Sequence, residues 1–113
     1  MSNYNLASVI DMAGGDDDFV KVVVQTFLEE IPPDLQAMNE ALMENNPGLS
    51  YQYAHKMKPN LQMFGLELMP QIKTIEEWAK SNKPKAEVEA AAAIITGKVK
   101  IAIEELRHDF DLE

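Results

Sequence analysis

The stretch AHKMKPNLQMFG, residues 54–65, sets His55 between two lysines and places a proline four residues later. On a helical wheel of about 100° per residue, Tyr51, Gln52, Lys58, Pro59 and Gln62 all fall within roughly 60° of His55. Tyr53, Met57, Leu61 and Phe64 fall on the opposite side, with Ala54 flanking them. The apolar stripe is therefore complete without the histidine, which is expected to face solvent among polar neighbours. Such an imidazole has few uses. Metal binding needs partners, yet the other histidine is His108 and no acid lies within one helical turn of His55 in the sequence. Base catalysis needs a pocket and an orienting carboxylate, and a convex helix face is expected to offer neither. Nucleophilic attack remains: an imidazole is largely neutral at pH 7, with a ring nitrogen free. Lys58, one turn on, could stabilise a negatively charged group placed on that nitrogen. An exposed position would let a second protein reach it.

The elements that must position this face are all helical in period. Val20, Val23 or Val24, Phe27, Ile31, Leu35, Met38 and Leu42 recur every three or four residues and predict one long helix. Asp16, Asp17 and Asp18 suit its positive start, and Pro32 and Pro33 are expected to interrupt and bend it. Asn45-Asn46-Pro47-Gly48 stops that helix, and Pro47 can open the next, which should run to about Phe64 with Gly65 near its end. A further helix is expected from about Met69 to Lys80, burying Ile72, Ile75 and Ala79. Ser81-Asn82-Lys83-Pro84 reads as a short polar connection. The last helix, from about Pro84 to His108, carries Val88, Ala92, Ile95, Val99, Ala102 and Leu106 at a and d spacing. A short helix from Leu6 to Ala13 precedes all of these. No segment alternates with period two. Short connections make neighbouring helices antiparallel, so the expected fold is all-α: an antiparallel up-down four-helix bundle with an additional short N-terminal helix. The whole chain, residues 1–113, reads as one domain, large enough for a core of its own.

Composition narrows the function further. A formal net charge of -9 argues against nucleic acid, whose phosphates call for clustered Lys and Arg. The charge is uneven: residues 1–55 hold nine acids and one lysine, and residues 56–113 hold ten acids and nine bases. Between Glu44 and Glu67 lie 22 residues without a carboxylate, a window that favours the approach of an anion. The absence of cysteine excludes thiol redox chemistry and disulfides. No apolar run is long enough to span a bilayer, and MSNYNLASVID lacks the basic start of a secretory signal, so a cytoplasmic protein is expected. No glycine-rich nucleotide loop is present, and the chain is not expected to phosphorylate itself from ATP.

The quoted stretch resembles the signature of histidine-containing phosphotransfer (HPt) domains of two-component phosphorelays: a small residue, His, any residue, an apolar residue, Lys, a small residue, five residues, Gly. Ala54, His55, Met57, Lys58 and Gly65 fit it, and Pro59 stands where the family usually has glycine. The likeness extends to FLEEIPPDLQAMNEAL and to Ile75-Glu76. The resemblance implies a phosphocarrier without kinase activity of its own. His55 would take a phosphoryl group from a receiver-domain aspartate and pass it to another receiver. Lys58 would be its electrostatic partner. Tyr51, Gln52, Pro59 and Gln62 would lie on the docking face, although for Gln62 a simple solvated side chain is equally open. The expected partners are receiver domains of response regulators or hybrid histidine kinases. No cofactor is expected on this chain, Mg²⁺ being supplied by the receiver, and a monomer is expected.

Other readings compete. A bundle that binds receivers without carrying phosphate differs only in having no use for His55 and Lys58. A haem-binding bundle could draw axial ligands from a histidine and seven methionines, but methionines at helical spacing more often fill a core. Lys56, about 100° off the His55 axis, reads as a solvated lysine, and His108 as a helix-end residue.

Overall fold

A computed structural model describes residues 3–81 and 83–112 as five helices and their connections, and all described secondary structure is helical. Asn82 of the expected polar connection lies outside the described residues, as do Met1 and Ser2 of the N-terminal stretch. The helices are α1 (Ala7–Ala13), α2 (Asp17–Met43), α3 (Pro47–Met63), α4 (Met69–Ser81) and α5 (Lys85–Asp109). No helix among them is long and apolar enough to cross a membrane.

Cross-contacts fix the direction of each neighbour. Between α2 and α3, Phe27 stacks on Phe64 with centroids 4.1 Å apart, Asp34 meets Lys56, and the Met38 carbonyl accepts from Ser50 Oγ. As one number rises the other falls, so the two helices are antiparallel. Between α3 and α4, Tyr51 faces Lys80 and His55 faces Glu76, again with opposed numbering. α5 follows α4 and closes back onto α2, where Asn39 Nδ2 donates to Thr96 Oγ1 at 2.9 Å. The ring α2–α3–α4–α5 is the up-down bundle that the short connections predict, with α1 laid against α2.

Helix starts follow the local chemistry. Asp16 caps α2 by accepting from the backbone of Asp18 and Phe19, and Asn46 caps α3 by accepting from Leu49 N–H, just before Pro47. Every residue expected on the long stripe of α2 is buried, Val24 taking the place left open with Val23. All six a and d residues of α5 are buried as well.

Two expectations are corrected. Pro32 and Pro33 do not interrupt α2, which runs through them as one helix. Proline fits helical φ, and the missing N–H groups cost only the bonds to the Leu28 and Glu29 carbonyls. Burial of Ile31 and Leu35 on either side holds the helix together. On α4, Ala79 is exposed and Trp78 is buried instead. An indole removes far more apolar surface from water than a methyl does, so the helix turns Trp78 inward, with Lys85 Nζ 5.6 Å from its ring centre.

The N-terminal residues strap the bundle's other end. Asn5 N–H donates to the Phe64 carbonyl at 2.7 Å, Asn3 N–H to Glu105 Oε1 at 2.7 Å, and the Tyr4 hydroxyl to Asp109. The Tyr4 hydroxyl, and then His108, hold the Asp109 carboxyl below the usual carboxylate range. His108 itself is exposed in the last turn of α5, beside Asp109, as expected of a helix-end residue.

Candidate functional site

α3 buries Ser50, Ala54, Met57 and Leu61, a stripe spaced by three and four residues. That stripe turns the opposite face outward: Gln52, His55, Pro59 and Gln62 are exposed, and Tyr51 and Lys58 are half-buried. All six residues singled out in the sequence thus share one face. His55 has 61% of its side chain exposed and points away from the core, while Met38 and Met57 sit within it. Nothing in that geometry supports axial ligation of a haem by His55. Among the described residues no three His, Cys, Asp or Glu side chains gather as a metal site would require.

The surroundings of His55 differ from the sequence expectation in one decisive respect. α4 brings Glu76 across the seam, with its Oε2 at 3.2 Å from His55 Nδ1 and its Oε1 at 3.7 Å from Lys58 Nζ. Glu76 is largely buried, with 14% of its side chain exposed. An orienting carboxylate is therefore present, though none lies within one turn along the chain. An ionised carboxylate only accepts hydrogen bonds, so Nδ1 must carry the ring hydrogen in this contact, which leaves the lone pair on Nε2. Tyr51, one turn earlier, stacks on the imidazole at a centroid distance of 5.7 Å and an interplanar angle of 7°, and Lys80 Nζ stands 5.3 Å from the Tyr51 ring centre. Two contacts, one from Tyr51 on α3 and one from Glu76 on α4, hold the imidazole.

The face is expected to offer no pocket, and the nearest open recess, of about 580 Å³, is lined by Lys58, Glu76, Met69, Pro70 and Lys73 and not by His55 itself. Pro59 is exposed inside α3, and the His55 carbonyl loses the N–H that residue 59 would otherwise supply. Lys56 is not a free solvated lysine. Its Nζ lies 3.0 Å from Oδ1 of Asp34, whose side chain is 8% exposed. The hydrogen bond that Lys56 donates to Asp34, followed by the charge of Asp34, raises the Lys56 pKa above the ordinary lysine value. The window without carboxylates in sequence is consequently not a window without carboxylates in space: Asp34 enters it from α2 and Glu76 from α4.

Glu76 is the residue that reasoning along α3 alone missed. Its signal was available in the antiparallel order of the helices, because residues following a short α3–α4 connection must return past His55. The Ile75-Glu76 pair also belonged to the family likeness already drawn.

Comparison with known proteins adds one finding. Neither the curated proteins nor the solved structures provide a match to the chain. A family model described as the Hpt domain matches residues 22–109, a span that takes in His55, Lys58, Glu76 and nearly all of the four-helix ring while omitting α1. With a helical bundle that turns a histidine outward and a match over most of its length, the chain belongs to the Hpt domain family.

Proposed function

We propose that His55 accepts a phosphoryl group from the aspartyl phosphate of one receiver domain and delivers it to the aspartate of another. The single observation that carries the reading is the setting of His55: exposed on α3, with Nδ1 engaged by Glu76 and Lys58 one turn away. With the hydrogen on Nδ1, the Nε2 lone pair is the nucleophile. Lys58 supplies positive charge beside the arriving phosphoryl oxygens, which a flexible ammonium can follow as the group moves. Tyr51 keeps the ring from rotating. Gln52, Pro59 and Gln62 form the surrounding contact surface, and the compact ring of Pro59 leaves room for a receiver to approach. Hpt domains are phosphocarriers and not kinases. Mg²⁺ and the residues that activate the aspartate belong to the receiver, so this chain contributes an oriented nucleophile and a neighbouring cation.

The test uses purified receiver domains phosphorylated with acetyl phosphate and Mg²⁺. The intact chain is expected to acquire acid-labile, base-stable phosphate, and His55→Gln to acquire none. His108→Gln should label like the unmodified chain. Because His55 is mostly exposed, His55→Gln should shift stability by no more than about 0.5 kcal/mol. Undiminished labelling of His55→Gln would end this reading. Binding of receivers with no labelled histidine would point to the non-transferring module.

A further inference from the structure

We infer that the N-terminal end of the bundle, where α1 lies against the start of α2, docks a cationic amphipathic helix of a partner protein, on a surface separate from the His55 face. The observation is a set of large apolar side chains left in solvent within an acidic setting. Ile10 and Met12 of α1 and Phe19 and Val22 of α2 are between 43% and 58% exposed. Residues 7–20 carry Asp11, Asp16, Asp17 and Asp18 and no lysine or arginine. The inference does not depend on the reading of His55 as acceptor.

Folding explains only part of this composition. Asp16 caps α2, and Asp17 and Asp18 suit its positive start. Asp11 has no such role. It lies in the last turn of α1, where the helix dipole opposes a negative charge, and no cation pairs with it among the described residues. The core is also complete without the four exposed apolar side chains, because Val9 seals α1 and Val20 and Val24 seal the start of α2. The family match begins at residue 22, so α1 and the first turn of α2 lie outside the span that carries His55. Distance separates the two surfaces as well. Asp34 meets Lys56, which sets His55 level with about residue 35 of α2. Val22 is about thirteen residues further along that helix, or about 20 Å.

Chemistry selects the occupant. The exposed apolar residues call for an apolar stripe, and the aspartates call for Lys or Arg beside it. Every described element is helical, so no sheet edge among the described residues can take an extended strand, and a helix laid across α1 and α2 is the form that fits. The unbranched side chain of Met12 can adapt to such a partner. A second copy would bring the same four aspartates face to face, and an anionic lipid surface would be repelled by them.

The experiment uses the intact chain and a fluorescent synthetic peptide of about 18 residues, with leucines at i, i+3, i+4 and i+7 and lysines flanking them. Anisotropy should show saturable binding that weakens with salt, and the same peptide with glutamates in place of lysines should not bind. Phe19→Ser combined with Val22→Ser should weaken binding at least about tenfold through lost apolar burial. Asp11→Asn should weaken it about two- to fivefold, and it carries the test if the paired variant melts early. Amide NMR shifts on adding peptide should fall on α1 and the start of α2 and spare Gln52 to Pro59. Phosphoryl uptake from a receiver should be the same in the paired variant and the unmodified chain. Equal binding of the lysine and glutamate peptides, or binding untouched by these substitutions, overturns the inference. A fall in receiver exchange in the folded paired variant overturns it too, by making this end part of the receiver's contact. So does a concentration-dependent dimer in sedimentation that the paired variant abolishes, or binding of the chain to vesicles of anionic phospholipid.

Discussion

Gly65 ends α3 with φ +70°, a left-handed conformation that costs a residue bearing a Cβ about 1–2 kcal/mol. The position is crowded as well as strained. A Cβ added there would stand 2.5 Å from Asn5 Cβ, 3.1 Å from Asn5 N and 3.2 Å from Asn5 Cα. None of these is the free end of a flexible side chain, so in Gly65→Ala the N-terminal strap must lift. Lifting it breaks the 2.7 Å bond from Asn5 N–H to the Phe64 carbonyl, a loss of about 1 kcal/mol. The combined cost is about 2–3 kcal/mol, or roughly 8–12 °C in melting temperature for a domain of this size. Circular dichroism melts of Gly65→Ala against the unmodified chain measure it, with urea midpoints as a second reading. Amide exchange at Asn5 should accelerate more than exchange at Ile95 in the core of α5, because the strap yields before the bundle does. Phosphoryl uptake below the melt should persist, since His55 lies nearly three helical turns from the clash. A change under about 0.5 kcal/mol would refute the reasoning, because it would mean that strap and helix end separate without loss.

Lys58→Ala should slow uptake or shorten the life of the phosphohistidine severalfold, not abolish it, since a partly exposed charge contact is worth up to about 1 kcal/mol; stopped-flow or quench kinetics equal to those of the unmodified chain would leave Lys58 as surface only. Pro59→Ala restores an N–H for the His55 carbonyl at an exposed position, so stability should rise by up to about 3 kcal/mol with transfer retained. Pro59→Gln, which puts a long side chain on the same face, should impair transfer without unfolding the bundle, and a Pro59→Ala protein melting well below the unmodified chain would make the proline a packing feature.

The fold was legible because each long helix writes its burial in a three-and-four spacing that only one period satisfies. Val20 to Leu42 on α2 and Val88 to Leu106 on α5 are buried where that spacing puts them. The failures came where a local rule met a larger packing gain. Proline at 32 and 33 loses two hydrogen bonds, yet the apolar residues around it gain more by continuing the helix. At the end of α4 the period allowed Ala79, and the greater apolar surface of Trp78 rotated the buried face toward itself.

Orientation of the site was equally legible, because a helix face is a property of one helix. Its electrostatics were not, because they belong to three. Counting carboxylates along the chain treats charge as one-dimensional, whereas a bundle folds residues 34 and 76 back to the level of residues 55 and 56. The two carboxylates then act differently on the lysines that flank His55. Asp34 draws Lys56 toward α2 and away from the imidazole, while Glu76 holds Lys58 loosely and His55 closely. Of the two lysines, Lys58 has the longer ion pair, and it shares its carboxylate with the histidine. If His55 is the acceptor, as proposed, that makes Lys58 the cation more easily released to an incoming phosphoryl group, a distinction that spacing on α3 could suggest but only the partners on α2 and α4 explain.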